Sequence, residues 1–264
     1  MTANGLKAAT ELAGRYAEVV ASLTPDEWAR PSRCAGWSVQ DLVAHTGSNF
    51  RILAEPPDPT APAPQVETAE QLQDLLVEQR RGWSSAEVSA EFLEHLGPAL
   101  GALAALQEDP LAASPITLTD LGTYPMHALA DAFAFDLWCH LTVDLLAPTG
   151  PVERARPKAT DDVLGPAVGW MLTGLPQMCP AVSTVLDRPL GVRLTGVGGG
   201  EWTLVPGGPS LTVASGLQNP VATATSAAAD FVLWGTTRTP WREAVRVDGD
   251  RAYAAQVLDR VDIV

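Results

Sequence analysis

From Met126 to Leu146 the chain reads MHALADAFAFDLWCHLTVDLL, a helix-length run with apolar side chains on nearly every face. Asp136 and His140 interrupt it four residues apart, about one helical turn, so both project from the same face. Burying a carboxylate costs on the order of several kcal/mol unless it is paired or bound to a cation. Whatever fold forms must therefore bring a partner to Asp136. His45, in the segment DLVAHTG near the end of another apolar-periodic stretch, is a third possible ligand. Two ligands from one helix and one from another can hold a divalent ion inside a helix bundle. Three protein ligands leave room for water or substrate, the pattern of catalytic rather than structural metal sites. Imidazoles with a carboxylate suit Zn, Ni, Fe or Mn. An Asp–His hydrogen bond without metal also satisfies the buried carboxylate, so the pattern alone leaves both readings open.

The other titratable groups are weighed the same way. There are four histidines. His127 is not clearly on the Asp136 face, and His95 in EFLEHLG has acids around it and reads as a solvated face, so neither joins the metal set. Cys139 points about 100° away from His140 and reads as a packed thiol. Cys34 lies in a turn and reads either as a reactive thiol or as small filler. Asp144, one turn beyond His140, is either an acceptor that orients the imidazole or a surface acid. Asp41, one turn before His45, reads as helix-start charge or as a similar orienting group. The glycines of GVGGG at 196–200 have no following helix and no Lys-Ser/Thr pair, so they form a hairpin turn rather than a phosphate cradle. No GxSxG elbow is present.

Bulk properties bound the class. With 264 residues, 46% hydrophobic and 18% charged, the chain is long and apolar enough for a sizeable core. A net charge of −14 with two lysines, Lys7 and Lys158, argues against nucleic-acid partners and against an anionic membrane surface. The N-terminal segment has no apolar signal core, and no run of about 18 apolar residues suggests a membrane span. Three cysteines without a CxxC pair fit free thiols in a reducing cytoplasm.

Residues 6–24 have helical spacing, and Thr24-Pro25-Asp26-Glu27 signals a new helix start. PSRCAGW at 31–37 is a turn. Ser38 is an N-cap with Asp41 three residues later, and its helix runs to about residue 53. The proline-rich stretch 55–65 is a loop, and a helical region follows at 67–107, with a break predicted near Gly97-Pro98. Residues 126–146 form the last long helix, and Ala147-Pro148-Thr149-Gly150-Pro151 is a linker. Beyond it, one helix near 160–175 precedes short alternating segments (GVRLTG, EWTLVP, LTVASG, VATAT), a helix at about 226–234, a strand and turn at EAVRVDGD, and a closing helix at about 250–260. The predicted fold class is α+β: a helical bundle at 1–147 and a small α+β domain at 151–264.

The chain resembles the mycothiol-dependent maleylpyruvate isomerase family, within the DinB-like metal-binding helix bundles. The resemblance rests on W-x-x-P-S-x-C-x-G-W-S-V-x-D-L-V-A-H from Trp28 to His45, on the E-x-x-x-H-x-x-x-D element occupied by Asp136, His140 and Asp144, and on a hydrophobic helix ending in W-G followed by V-x-G-D between Phe231 and Asp250. It implies a four-helix bundle, a C-terminal domain similar to sterol-carrier modules, and a divalent ion, usually zinc, held by His, Glu and His. It also implies a low-molecular-weight thiol, used as cofactor in cis–trans isomerisation or as nucleophile in S-transfer. Two departures stand out. Asp136 replaces the family's glutamate, one methylene shorter. Thr236 and Thr237 follow Gly235 where the family's isomerase has an arginine, and the first arginine is Arg238.

The leading expectation is a cytoplasmic enzyme acting on a small electrophilic metabolite with mycothiol, by transfer or isomerisation. His45, Asp136 and His140 would hold the metal, and Arg238 would steady a substrate carboxylate at a cleft between the two halves, near Arg242 and Arg246. Surface ion pairs are the alternative role for these arginines. The alternative functions are a thiol-independent metal enzyme for hydrolysis, cyclisation or isomerisation, and a non-catalytic small-molecule binding protein.

Overall fold

The computed structural model describes residues 3–58, 60, 64–208 and 210–263. It separates into two compact units, residues 1–158 and 159–264.

In the first unit, helices α1 (Ala3–Ser22), α3 (Val39–Ala54), α5 (Ser85–Ala105) and α6 (Leu129–Cys139) form the bundle, with the short α2 (Pro25–Trp28) and α4 (Ala69–Glu78) between them. Packing pairs α3 with α5 and α1 with α6. Leu12, Tyr16, Leu42, Phe50, Phe92, Leu103 and Leu137 are fully buried between them. Phe92 is central, with ring centroids 5.2 Å from both Tyr16 and Phe50. Gly47 lets α3 approach α5 closely, because a Cβ there would lie 3.3 Å from the Phe92 backbone. Capping boxes start α2 (Thr24 with Glu27), α3 (Ser38 with Asp41) and α5 (Ser84 with Glu87), each satisfying otherwise orphaned N–H groups.

Two local expectations are corrected, and one element lies outside them. The helical region 67–107 breaks at residues 79–84, not at Gly97-Pro98, and Pro98 lies inside α5. The buried face Val88, Phe92, His95, Ala99 and Leu103 continues past it. Pro98 is on the exposed face, where packing against α3 outweighs the loss of one backbone bond. Residues 115–125 form a small hairpin, β1 (Pro115–Thr117) with β2 (Thr123–Pro125), that helical periodicity does not reveal. The last long helix is not α throughout: from His140 to Leu145 it widens into a π-helix, with the Leu146 N–H bonded to the Leu141 carbonyl at 3.1 Å. Single π turns of this kind concentrate at functional sites. Of the proline-rich loop, residues 59 and 61–63 lie outside the described residues.

The second unit carries a five-stranded sheet in the order β5 (Leu211–Ser215), β4 (Gly200–Pro206), β3 (Leu190–Thr195), β6 (Ala222–Ala227), β7 (Arg246–Gly249). Only the central β3–β6 pair is parallel, in the register Leu190↔Ala222, and residues 196–199 make the β3–β4 hairpin turn. Helices α7 (Asp161–Met178), α9 (Ala228–Gly235) and α11 (Arg251–Leu258) pack with this sheet, and α8 (Pro180–Ser183) and α10 (Trp241–Ala244) are single turns. The architecture is α+β, helical first and sheet-rich second.

Candidate metal centre

α3 carries His45 and Asn49 one turn apart, and α6 carries Asp136 one turn before His140. Packing of the bundle brings these positions together. Asp136 Oδ1 lies 3.3 Å from His45 Nε2 and 3.3 Å from His140 Nε2. The two imidazoles meet edge to face, centroids 4.6 Å apart. His45 is 4% exposed, and the His45 Nδ1 and Asp136 Oδ2 atoms are buried with no hydrogen-bond partner.

These distances bear on the two readings left open by the sequence. Nitrogen–oxygen hydrogen bonds cluster at about 2.7–3.2 Å. Two N/O donors, each about 2.0–2.2 Å from a tetrahedral ion, lie roughly 3.3–3.5 Å apart. Both 3.3 Å separations match the edge of a coordination tetrahedron better than a tight hydrogen bond. The orphaned Asp136 Oδ2 also fits a carboxylate whose charge is meant to be met by a cation. The donor set of His45, Asp136 and His140 thus fits a divalent ion of the Zn type.

Electrostatics agree. Burial alone would push the Asp136 carboxyl up, but the charges and hydrogen bonds of His140 and His45 outweigh it and hold the group far below the usual carboxylate range. Burial opposes charge on His140 too, yet Asp136, with added hydrogen bonds to Asp144 and Cys34, raises its pKa well above the usual imidazole value.

Asp144 is fully buried and is the orienting acceptor, not a surface acid: its Oδ2 lies 2.9 Å from His140 Nδ1. With an ion bound, that bond would keep the proton on Nδ1 and leave Nε2 free to ligate. Asp41 instead closes the α3 capping box, accepting from the Ser38 N–H and hydroxyl, both at 2.8 Å.

The 31–38 turn lies against the site. The Ser32 N–H bonds the Trp37 carbonyl at 2.9 Å, and the Ser32 hydroxyl oxygen accepts from the Cys34 N–H at 3.1 Å. Gly36 takes φ +81°, open to glycine at little cost. The Arg33 N–H donates to the Asp144 carbonyl at 3.1 Å, tying the turn to the π segment. Cys34 Sγ is thereby held 3.8 Å from His140 Nδ1, and the Trp37 ring sits 5.2 Å from that of His45. An open groove of ≈ 560 Å³ is lined by Trp28, Cys34, Trp37, Gln40, Asp41 and Arg81. A neighbouring one of ≈ 500 Å³ shares Trp37 and Arg81 and adds Asp74 and Glu78.

The remaining candidates are elsewhere. His127 lies in a 3₁₀ turn with Nδ1 2.9 Å from the Ala112 carbonyl. His95 is not on a solvated face: it is buried, with Nδ1 2.8 Å from the Glu91 carbonyl. Cys139 is packed in the core. Arg238 is in the second unit, half-buried in the bend after α9. Arg242 pairs with Asp259 and Arg246 with Asp248, the surface-ion-pair alternative. Asn49 is the site residue that sequence reasoning passes over; its only signal is a position one turn beyond His45.

The family model for the mycothiol maleylpyruvate isomerase N-terminal domain matches residues 9–145, a span that contains His45, Asp136, His140 and Asp144. The chain belongs to this family. Solved structures of the mycothiol-dependent maleylpyruvate isomerase and of a histidine-to-alanine mutant of it are similar in fold, with TM-scores of 0.61 and 0.60. They cover 94% of this chain and 93% of their own at 14% and 13% identity, a likeness of fold alone. No curated protein matches the chain. At Asp136, where the resemblance implies a glutamate, both imidazoles sit 3.3 Å from one carboxylate oxygen.

Proposed function

We propose that this chain is a metal-dependent, mycothiol-using enzyme that catalyses S-transfer to, or thiol-assisted isomerisation of, a small electrophilic metabolite. The observation that carries this reading is the convergence of His45, Asp136 and His140 on one point beside an open groove, in a member of this family.

His45, Asp136 and His140 hold the ion, and zinc suits the donors. When bound, it supplies positive charge that lowers the pKa of a thiol and makes sulfur nucleophilic at neutral pH. Asp144 keeps His140 in the ligating tautomer. Trp37 covers His45 and excludes water from that side. The groove along the 31–38 turn takes the polar body of the thiol: Trp28 and Trp37 offer faces for sugar-like rings, and Gln40, Asp41 and Arg81 offer hydrogen-bonding groups. In transfer, the sulfur displaces a leaving group from the electrophilic carbon. In isomerisation, it adds to one carbon of the double bond, the resulting single bond rotates, and the same sulfur leaves. We assign Arg238 to a substrate carboxylate, so Arg238→Ala should raise KM for anionic electrophiles and leave neutral ones unaffected.

The test is turnover of a panel of electrophiles with mycothiol, with and without zinc, by the intact protein and by His45→Ala. Zinc-dependent consumption of mycothiol or isomerisation, lost by roughly 100-fold or more in the variant, is the expected result. Equal rates without zinc, or with no thiol present, would defeat this reading.

A further inference from the structure

Asn49 lies one helical turn beyond His45, beside the ligand set. Its terminal amide lies 3.4 Å from His45 Nε2, the nitrogen that faces Asp136 Oδ1. This separation repeats the two 3.3 Å donor separations within the ligand set. All three have the length of a tetrahedron edge about an ion roughly 2.0–2.2 Å from each donor. The amide makes no other side-chain hydrogen bond among the described residues. Its nearer atom is Nδ2, and a half-turn of the amide puts Oδ1 in that place with no change of shape. α3 fixes the geometry: Asn49 and His45 are four residues apart on one face of a helix held against α5 at Gly47.

We infer that Asn49 is a fourth ligand of the ion, through Oδ1, and the displaceable one. This rests on the metal reading above. A carboxamide oxygen is neutral and a weaker donor than the imidazoles and the carboxylate, so it holds the fourth corner in the resting protein and yields it to an anionic sulfur. The centre is thereby closed to adventitious water ligands yet open to thiol. A neutral fourth ligand also leaves the charge balance at the ion unchanged, which a second carboxylate there would not.

The experiment titrates Co(II) and Zn(II) into the full chain and into Asn49→Ala, Asn49→Asp and His45→Ala, using a chromophoric chelator as competitor and the Co(II) ligand-field bands as a second readout. Circular dichroism confirms that each variant is folded. Expected are about 10-fold weaker binding and weakened or shifted Co(II) bands for Asn49→Ala, and tighter binding by about 10-fold for Asn49→Asp. Affinity and bands unchanged in both variants would overturn the inference while His45→Ala still loses the ion. If His45→Ala binds metal like the parent, the metal reading itself fails.

Discussion

Cys34 Sγ lies 3.8 Å from His140 Nδ1 although 106 residues separate the two in the chain. The thiol is half-buried, lines the groove, and faces an imidazole with a raised pKa. The other two thiols are buried, and burial pushes Cys179 up to about 11. An alkylating reagent on the native, metal-free protein should therefore modify Cys34 at least about 10-fold faster than Cys139 or Cys179, since thiolate character and access set the rate. Peptide mapping by mass spectrometry after a time course reads this, and equal labelling of the three would contradict it.

On the proposed ligand set, Asp144 would act on the ion through His140. Asp144→Ala should weaken metal binding about 10- to 100-fold, and Asp144→Asn, which keeps an acceptor near Nδ1, should lose less. Chelator competition separates the two. An Asp144→Ala protein that is folded and binds metal like the parent would show that His140 needs no orienting partner.

Among the described residues, Asp136 is the carboxylate in contact with both imidazoles. Asp136→Ala should abolish stoichiometric metal binding, whereas Asp136→Glu should keep it and restore the family's longer side chain. Elemental analysis of the purified variants is sufficient. Full metal content in Asp136→Ala would make the carboxylate structural.

Glu27 provides a pH test of the first unit. Its carboxylate accepts from the Thr24 N–H at 2.9 Å and from Arg154 at 2.9 and 3.0 Å, which lowers its pKa from the ordinary 4.5 to about 2. A group with a depressed folded-state pKa contributes stability that is present above the unfolded value and lost as pH falls through the folded one. The Glu27 contribution should thus be intact above about pH 4.5 and fade toward about pH 2. Glu27→Gln should be less stable than the parent at pH 7 by roughly 1–2 kcal/mol and should converge with it in acid. Urea denaturation at several pH values measures the difference, and a gap independent of pH would rule the ion pair out as its source.

What the sequence makes legible here is what local chemistry decides. The capping box of Ser38 with Asp41 sits within four residues, and the alternating segments near 190–227 announce themselves as strands by period. The i,i+4 placement of Asp136 and His140 is equally local, so the ligand face is readable before any packing is known. Non-local contacts are not. Pro98 looks like a helix breaker because its neighbours on α3 are invisible in one dimension, and the acids around His95 disguise a buried face. The π turn after His140 leaves the apolar pattern intact while changing the hydrogen bonding beneath it. Cys34 reads either as a reactive thiol or as filler until a backbone bond from Arg33 to Asp144 fixes where its turn lies.

That bond has a mechanical consequence. Asp144 holds the imidazole of His140 with its side chain and the 31–38 turn with its carbonyl, so one residue sets both the aim of a ligand and the position of a groove wall. A shift of residue 144 is felt twice, at His140 and at the turn that carries Cys34 and Trp37. On the proposed function, loading the centre and shaping the berth for the thiol would be one movement.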